Sequence, residues 1–369
     1  MDSQLYSLAV SLRRELHAHP EPSDQETWTK TRLLDFLRTQ TALELHDEGA
    51  WFYAVHRGRD GRPGLVFRAD FDALPIPDES GAPYASRSPG LGHQCGHDGH
   101  SAALAAFALL VDRRDPPRTV YFLFQNAEET GDGAKRCLAL LEREPVEAVY
   151  GFHNMPGYPL HAVCLRPGPI HCASRGMTIR LTGVSTHAST PELGRSPALA
   201  VARLVEALPG LTDPAAHRGL VLATVIQMDV GEPAFGVAAH RGALLLTLRA
   251  QYEEELDALQ AALEDLTARL AQADGLEFSI SYCDVFPETV NTPACVEAVR
   301  AAAEELGLTV VDLPEPARCS EDFGWYTKRR PGAFFFLGDG EDHPHLHSTT
   351  FDFPDPLIAT ACDLFWALL

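Results

Sequence analysis

The chain has little positive charge. Its 369 residues include 30 Lys and Arg against 51 Asp and Glu, which gives a formal net charge of −21 at pH 7. Lysine is almost missing, since only Lys30, Lys135 and Lys328 occur. An acidic surface of this kind repels a phosphate backbone, so we expect no nucleic-acid partner.

Long apolar runs are also missing. No stretch approaches the roughly 20 consecutive apolar residues that cross a bilayer, so we expect no membrane span. Asp2 stands where a secretory signal would carry positive charge, and the apolar residues after it have helical spacing. We therefore predict that the N-terminal segment forms the first helix of the fold and that the protein is cytoplasmic.

The cysteines do not have the pattern of a disulfide framework. They are Cys95, Cys137, Cys164, Cys172, Cys283, Cys295, Cys319 and Cys362. A chain of this length can bury a full core without covalent cross-links, and disulfide frameworks belong mainly to small secreted domains. We interpret seven of the eight as small buried hydrophobic residues. Cys95 differs from them because it lies between histidines.

Apolar runs alternate with helical patterns in the first half of the chain. The predicted strands cover residues 64–69, 119–124 and 148–152, and the predicted helices cover 100–111 and 134–144. Such alternation predicts an α/β fold with a mostly parallel sheet. Ligands of these sheets collect beyond the carboxyl ends of the strands, and that is where the polar clusters of this sequence occur.

The pattern changes near residue 174. Strands at 177–181, 220–228, 243–249 and 276–282, with helices at 197–208 and 253–273, give the β-α-β-β-α-β order of a ferredoxin-like domain. A helix at 294–306 and a strand at 333–337 then resume the alternation of strands and helices seen in the first half. We predict a catalytic metal-binding domain formed by residues 1–173 and 286–369, with an inserted domain at residues 174–285.

Residues 93–100, His-Gln-Cys-Gly-His-Asp-Gly-His, combine ligand types that suit zinc and neighbouring transition metals. Gly96 and Gly99 allow the loop to bend so that Cys95 and His97 converge on one point. A lone histidine is more often structural, but a Cys-x-His pair between glycines favours a metal site. The sequence has no second Cys/His pair at zinc-finger spacing, which argues against a purely structural zinc site.

Three further polar clusters follow predicted strands. Glu128 and Glu129 come directly after the strand at 119–124, His153 follows the strand at 148–152, and residues 343–347 contain three histidines. Adjacent carboxylates are typical of a solvated turn. At the end of a strand, however, one can bind a metal while the other takes a proton from the attacking water. Four clusters at strand ends or in the loops that follow predict one shared site.

The chain resembles the M20 metallopeptidases, and in particular their amidohydrolase branch of hippurate hydrolases, aminoacylases and auxin-conjugate hydrolases. The matching stretches occur in family order across nearly the whole chain. They are residues 12–20, 68–75, 95–100, 124–129, 151–154, 166–169, 187–191, 320–323 and 346–348. As a set these stretches are specific to the family, although no single one is. The resemblance implies a zinc-peptidase-like catalytic domain with an inserted lid that also forms a dimer.

The resemblance implies two divalent metal ions per subunit, with manganese, zinc, cobalt and nickel as candidates. The implied ligands are Cys95, His97, Glu129, His153 and His347. Cys95 would take the bridging role that an aspartate has in other branches of the family. Glu128 corresponds to the general base of the family.

Three aspartates are expected to support the ligands. Asp70 stands where other branches have a histidine ligand, so the resemblance implies that His97 replaces that ligand. Asp72 and Asp98 are candidates for orienting the imidazole rings. The alternative for both is a carboxylate that caps a helix or a turn.

Two residues of the inserted domain match positions that contact substrate in the family. His187 corresponds to a histidine that reaches from the partner's lid to the carbonyl oxygen of the substrate; the alternative is an exposed loop histidine. Arg249 corresponds to an arginine that binds the substrate carboxylate; the alternative is a solvated arginine at a strand end. Gly236 replaces the family's substrate-binding asparagine, so the family's substrate assignments stay open. The resemblance also implies a homodimer.

We therefore predict a metal-dependent amidohydrolase that cleaves the amide bond of small N-acyl amino acids at a dinuclear site. One alternative is a dipeptidase or carboxypeptidase of the same family. Another is a metal-binding homologue without turnover, which loss of the general base would mark. Glu128 and all five candidate ligands are present, which favours an enzyme.

Overall fold

A computed structural model describes residues 1–369. The chain forms two compact units. The first comprises Met1–Ile170, Thr289–Pro316 and Glu321–Leu369, and the second comprises His171–Glu288 and Ala317–Ser320. Residues 317–320, which the sequence pattern assigned to the catalytic domain, belong to the second compact unit. The predicted domain limits at residues 174 and 285 stay a prediction.

The helices and strands are numbered along the chain. The helices are α1 (Ser3–His17), α2 (Thr27–Gln40), α3 (His97–Arg114), α4 (Gly133–Arg143), α5 (Ala198–Leu211), α6 (Glu253–Asp274), α7 (Pro293–Glu305), α8 (Gly324–Thr327) and α9 (Pro356–Ala367). The first strands are β1 (Glu44–Asp47), β2 (Phe52–His56), β3 (Gly64–Asp70), β4 (Val120–Gln125), β5 (Val146–Met155), β6 (Val163–Leu165), β7 (Gly168–His171) and β8 (Ala173–Thr182). The others are β9 (Thr186–His187), β10 (Val221–Val230), β11 (Val237–Ala238), β12 (Arg241–Ala250), β13 (Glu277–Phe286), β14 (Thr289–Asn291), β15 (Val310–Asp312) and β16 (Gly332–Gly338).

An eight-stranded sheet organises the first unit, in the order β1-β2-β4-β3-β5-β16-β6-β15. The central pairs β4/β3, β3/β5 and β5/β16 are parallel, as is β6/β15. The pairs β1/β2, β2/β4 and β16/β6 are antiparallel. The predicted α/β fold with a mostly parallel sheet is confirmed, and the antiparallel pairs lie outside its parallel centre.

Burial of both sheet faces explains why the central strands are apolar along their whole length. Every residue of β3, β4 and β16 is buried. The ring of Phe67 on β3 packs 4.9 Å from Phe107 of α3 and 4.7 Å from Phe365 of α9, measured between centroids. This packing fixes α3 against the sheet, so that its N-terminus is held beside the carboxyl ends of the parallel strands.

The second unit contains an antiparallel sheet in the order β10-β12-β8-β13. Alternate residues of β8 and β12, such as Ile179 and Leu246, are buried in a core with α5 and α6. The opposite face carries polar and charged side chains such as Arg180. The predicted ferredoxin-like order is confirmed, and β9 and β11 add a two-stranded ribbon to it.

No helix of the chain combines the length and the apolar character that a bilayer span requires. The predicted cytoplasmic location stays a prediction.

Candidate metal centre

The candidate ligands lie at the carboxyl edge of the parallel sheet. β3 ends at Asp70, which pairs with Gln125 at the end of β4, and Glu128 follows three residues later. His153 is on β5 and pairs with Phe336 of β16. His347 lies in the segment after β16 and has a φ of 63°, a left-handed conformation that is uncommon for a residue with a side chain. Such conformations concentrate at functional sites.

Helix α3 begins three residues before the predicted start, so His97 lies in its first turn rather than in a loop. The preceding Gly96 has a φ of 97°, and a Cβ there would lie 2.4 Å from Oδ1 of Asn154. Only glycine satisfies both conditions. This sharp entry into the helix positions Cys95 and His97 together, as the two glycines predict.

The five predicted ligands come together around Cys95. Its Sγ atom lies 3.3 Å from Nε2 of His153 and 3.4 Å from Nε2 of His347. Oε1 of Glu129 lies 3.7 Å from Nε2 of His347 and 3.8 Å from Nε2 of His97. Cys95, His97 and His153 form one candidate ligand group, and Cys95, Glu129 and His347 form a second. Cys95 is the residue that the two groups share.

The residues present fit metal ions, because the atoms that face the site lack partners within the protein. Nε2 of His97 and Oε1 of Glu129 are buried and form no hydrogen bond. A buried polar atom without a partner costs about 1–3 kcal/mol. Thiolate, imidazole and carboxylate form a donor set suited to zinc and neighbouring divalent ions. A cation would satisfy both buried atoms.

Hydrogen bonds turn the histidine rings toward this site. Nδ1 of His97 donates to the backbone oxygen of Asp72 at 3.1 Å, and Nδ1 of His153 donates to the backbone oxygen of Asn154 at 2.7 Å. With the proton on Nδ1, the neutral ring has its lone pair on Nε2, the atom that faces the other ligands.

The site is strongly negative. Burial alone would lower the pKa of His97, but Asp70, Asp72 and Glu129 outweigh burial and raise this pKa to about 10. Burial and the neighbouring Glu129 raise the pKa of the Cys95 thiol well above its usual range. The carboxylates therefore favour a positive charge at this place, and divalent ions would supply it.

Asp72 joins two of the candidate ligands. Its Oδ1 accepts a hydrogen bond from Nδ1 of His97 at 3.0 Å, and its Oδ2 accepts one from the backbone nitrogen of Glu129 at 3.0 Å. The hydroxyl of Ser23 donates to the same Oδ2 at 2.7 Å. This geometry agrees with the predicted orienting role of Asp72.

The imidazole ring that the Asp98 side chain meets is that of His17 on α1, which is outside the candidate ligand set. Oδ2 of Asp98 accepts a hydrogen bond from Nε of Arg13 at 2.8 Å and lies 2.9 Å from Nδ1 of His17. Because α3 starts at His97, the side chain of the next residue turns away from the site and toward α1. Asp98 thus orients the imidazole of His17, a residue that we did not predict to take part.

Asp70 supports the site through a histidine outside the predicted ligand set. Its Oδ1 lies 2.6 Å from Nδ1 of His100, whose Nε2 lies 2.6 Å from Oδ1 of Asn154. Asn154 follows His153 in the chain, and the backbone oxygen of Asn154 accepts a hydrogen bond from Nδ1 of His153. The three residues form a chain of hydrogen bonds beneath the candidate ligands.

Oε2 of Glu128 lies 3.9 Å from Nε2 of His97, and the same carboxylate also faces two further buried carboxylates, Glu321 and Asp322. The backbone nitrogen of Asp322 donates to Oε1 of Glu128 at 3.4 Å. Burial and the charges of Glu321 and Glu129 raise the pKa of Glu128 well above its usual range. These surroundings differ from those of Glu129, although the two residues are adjacent.

Arg68 neutralises part of this charge, and sequence reasoning assigned it no role. Its fully buried guanidinium donates to Asp70 at 2.6 Å and to Glu321 and Asp322 at 2.9 Å each. A charged residue within a fully apolar strand is the signal that could have identified it, because a buried charge requires partners.

His187 lies on the ribbon of the second unit and is exposed. It pairs with Val237 of β11. The backbone nitrogen of Ser189 donates to its Nδ1 at 3.1 Å. The neutral ring therefore carries its proton on Nε2. The neighbouring Gly236, at the family's asparagine position, has open space around it.

Arg249 is only partly exposed, at one end of β12. Its Nη1 donates to the hydroxyl of Ser320 at 2.6 Å and also to the backbone oxygen of Arg318. The side chain therefore fixes residues 318–320 within the second unit. Its predicted contact with a substrate carboxylate stays a prediction.

The model of peptidase family M20/M25/M40 matches residues 66–369. The chain belongs to this family. Membership makes it a metal-dependent hydrolase of amide bonds, and it confirms the predicted family and class of enzyme.

Curated relatives of this M20 hydrolase cover nearly its whole length. An N-acetyl-L-cysteine deacetylase of Bacillus subtilis (strain 168) is 30% identical over 353 residues, which are 94% of this chain and 83% of the relative. An N-acetyldiaminopimelate deacetylase of Exiguobacterium sibiricum is 29% identical over 354 residues, which are 94% of each chain.

Solved structures share the fold of the whole chain. A putative aminohydrolase from methicillin-resistant Staphylococcus aureus is 26% identical, with a TM-score of 0.89 and coverage of 99% of this chain and 96% of that one. The Bacillus subtilis YXEP protein, described as a dinuclear metal-binding M20 peptidase, is also 26% identical, with a TM-score of 0.85 over 100% and 98% of the two chains.

Proposed function

We propose that this M20 hydrolase removes the acyl group from small N-acyl amino acids and that it uses two divalent metal ions per subunit. The relatives named as deacetylases of N-acetylcysteine and N-acetyldiaminopimelate support this substrate class. The Bacillus subtilis neighbour described as dinuclear supports the metal count. The candidate ions are manganese, zinc, cobalt and nickel.

The observation that carries the proposal is the pair of ligand groups that share Cys95. One group would hold a metal ion with His97 and His153, and the other would hold a second ion with Glu129 and His347. Within these two groups, Nε2 of His97 and Oε1 of Glu129 are buried and have no hydrogen-bond partner. A single tetrahedral ion would leave part of this five-residue set unused.

Bound divalent ions supply Lewis acidity, which polarises the scissile carbonyl and lowers the pKa of water. Glu128 is proposed to accept the proton of the attacking water and to deliver it to the leaving amine. Asp72 holds His97 and the backbone of Glu129 in position during these steps.

His187 is proposed to stabilise the oxyanion that forms at the substrate carbonyl. The hydrogen bond from Ser189 occupies Nδ1, so Nε2 is the donor of the neutral ring. A well-placed donor to an oxyanion contributes about 3–4 kcal/mol of transition-state stabilisation. Arg249 is proposed to bind the substrate's α-carboxylate with the part of its guanidinium that does not hold Ser320.

We also propose that the protein is a homodimer formed through the second unit. β10 is an edge strand of its sheet, and its hydrophobic side chains Ile226 and Met228 are 61% and 48% exposed. An unpaired edge with exposed apolar residues is a ready surface for a second copy of the chain.

A substrate panel tests this proposal. Protein freed of metal is supplied with Mn²⁺, Zn²⁺, Co²⁺ or Ni²⁺ in turn and assayed on N-acetyl amino acids and on dipeptides, and bound metal is counted by elemental analysis. We expect about two ions per subunit, from the five candidate ligands, and faster hydrolysis of the N-acetyl compounds. Faster cleavage of dipeptides would identify a dipeptidase, and a metal content of zero after supplementation would reject the proposed centre.

A further inference from the structure

We propose that Arg180 and Arg241 form a subsite for a second carboxylate of the substrate, so that the enzyme favours N-acyl derivatives of acidic amino acids. This inference rests on the proposed function and specifies its substrate class. It depends on a cavity in the second unit that none of the predicted site residues lines.

The cavity opens at one end of the sheet and has a volume of about 460 Å³. This size lies within the range of small-molecule sites. Arg180, Arg241 and Asp229 supply its charged lining, and Ala243 and Thr182 line it as well.

The strand register explains why the two arginines share this cavity. Arg241 pairs with Thr182, and Arg180 pairs with Ala243. Partners in an antiparallel pair point to the same face, so Arg180 and Arg241 are diagonal neighbours, about 7–8 Å apart at the backbone. Ala243 also pairs with Asp229. Its small side chain leaves the space between the larger ones open.

Neither guanidinium has an ion-pair or hydrogen-bond partner in the structure. Two other arginines of the same unit do pair with acidic side chains: Arg175 with Asp257 at 2.7 Å and Arg218 with Glu254 at 3.0 Å. Unpaired neighbouring arginines are unexpected in a chain with a net charge of −21.

The ligand implied by this charge pattern is a carboxylate. Asp229 lines the cavity too, but its Oδ2 accepts a hydrogen bond from Gln227. Glu277 pairs with Thr182 on the same face but lies outside the lining, so the lining itself has two guanidiniums against one carboxylate. Two adjacent cations repel each other, and a bound anion removes that repulsion. The planar fork of arginine matches a carboxylate with two parallel hydrogen bonds.

The cavity adjoins the ribbon that carries His187. Val237 pairs with His187, and the four residue steps from Val237 to Arg241 span at most about 13 Å. A second cavity of about 230 Å³ lies along this segment, and it shares Gly231 and Arg241 with the first, although Glu232 lines it as well. The two cavities therefore form one groove, which runs from the ribbon to Arg180 and Arg241.

His187, Arg180 and Arg241 belong to one compact unit. The two arginines therefore keep a fixed position relative to His187, whichever subunit's active site His187 serves. A substrate whose amide carbonyl meets His187 would direct a side-chain carboxylate along the groove. Gly236, which replaces the family's asparagine, offers no side chain for substrate contact, so the arginines would supply polar recognition instead.

The test compares N-acetyl-L-glutamate with N-acetyl-L-glutamine, which differ only in the side-chain carboxylate. We expect wild-type kcat/KM to favour the glutamate derivative by at least about tenfold, as a charge-assisted hydrogen bond would give. Arg180→Gln and Arg241→Gln should each lower this preference about tenfold through KM, and Arg241→Lys should restore part of it. The control is Arg269→Gln, which removes an exposed partner of Asp265 on α6 and should leave the preference unchanged.

The glutamine derivative shows whether each variant still folds, because its kcat should not change. A wild-type preference of one or less, or a preference that survives Arg241→Gln, overturns the subsite. Calorimetry with free L-glutamate separates the other source of a carboxylate: if Arg241→Gln abolishes glutamate binding but leaves the preference intact, the cavity binds a free anion and the proposal fails. If no N-acyl amino acid is hydrolysed with any metal, the proposed function itself fails.

Discussion

Glu128 and Glu129 are adjacent in sequence, but their surroundings differ. Glu129 faces Cys95 and His347, and it is fixed through its backbone by Asp72. Glu128 lies near His97 but also faces Glu321 and Asp322, which Glu129 does not. The two carboxylates therefore have different tasks available to them, one as a metal ligand and one as a base.

Substitution of each carboxylate by its amide separates these tasks. Glu128→Gln should keep metal content and folding and lose most turnover, because the amide cannot accept a proton from water. Glu129→Gln should weaken metal affinity, since an amide oxygen without charge is a poorer ligand. Metal titration and kcat measured on both variants make the comparison, with the exposed Glu142→Gln on α4 as the control. A Glu128→Gln enzyme with near wild-type kcat would show that another residue is the base.

The residues of the centre differ in how well the sequence predicts them. Cys95 and His97 are predicted by their spacing, and a carboxylate pair after an apolar strand indicates Glu128 and Glu129. The partners of Asp98 and Arg68 could not be predicted in this way. Arg13 lies 85 positions from Asp98, and Asp322 lies 254 positions from Arg68, so only the folded chain brings each pair together.

At the scale of elements, the entry into α3 controls the centre. Cys95 precedes Gly96 and His97 follows it, so the left-handed backbone at Gly96 sets the angle between these two candidate ligands. The absent side chain also leaves room for Asn154, whose backbone oxygen orients His153. A single glycine therefore affects three candidate ligands.

Gly96→Ala should be more damaging than a matched change elsewhere. Gly81 also has a positive φ, 71°, but nothing lies within 4 Å of an added Cβ. Gly81→Ala should therefore show only the backbone cost of about 1–2 kcal/mol and leave metal binding intact. Gly96→Ala carries the same cost plus a clash with Asn154, so we expect a larger loss of stability and weaker metal binding. Denaturant unfolding and metal titration of both variants test this, and equal behaviour would contradict it.

The long elements are predictable for a physical reason, and the short ones are not. β3, β4 and β16 are buried on both faces, which makes them continuous apolar runs. β6 and β15 have three residues each, too few to show a periodic pattern. The predicted start of α3 is late because two glycines and polar residues in its first turn resemble a loop.

At the scale of the whole molecule, the residues proposed to take part in the reaction are distributed over the two compact units. The candidate ligands and Glu128 belong to the first unit, and His187, Arg249, Arg180 and Arg241 belong to the second. The order of strands and helices predicts both folds from the sequence. The partner of β10 is not predicted in this way, because the free backbone groups of an edge strand do not specify which chain pairs with them.

A dimer in which His187 serves the neighbouring subunit makes a prediction that a monomeric enzyme does not. His187→Ala alone should lower kcat by roughly 10²–10³, as loss of an oxyanion donor does, and leave metal content unchanged. Glu128→Gln alone should be nearly inactive. Each subunit of a mixed dimer then lacks one of the two functions.

Mixing the two inactive variants tests the role in trans. In a mixed dimer, the His187→Ala subunit keeps its metal centre and its Glu128, and the Glu128→Gln partner provides an intact His187 to that centre. One active site per mixed dimer is complete, so random exchange should restore about a quarter of wild-type activity, because half of the dimers are mixed and each has one intact site. If His187 serves its own subunit, both sites of every mixed dimer are defective and no activity returns. Subunit exchange is measured separately with differently tagged chains, so that an absence of recovery despite exchange refutes the role in trans.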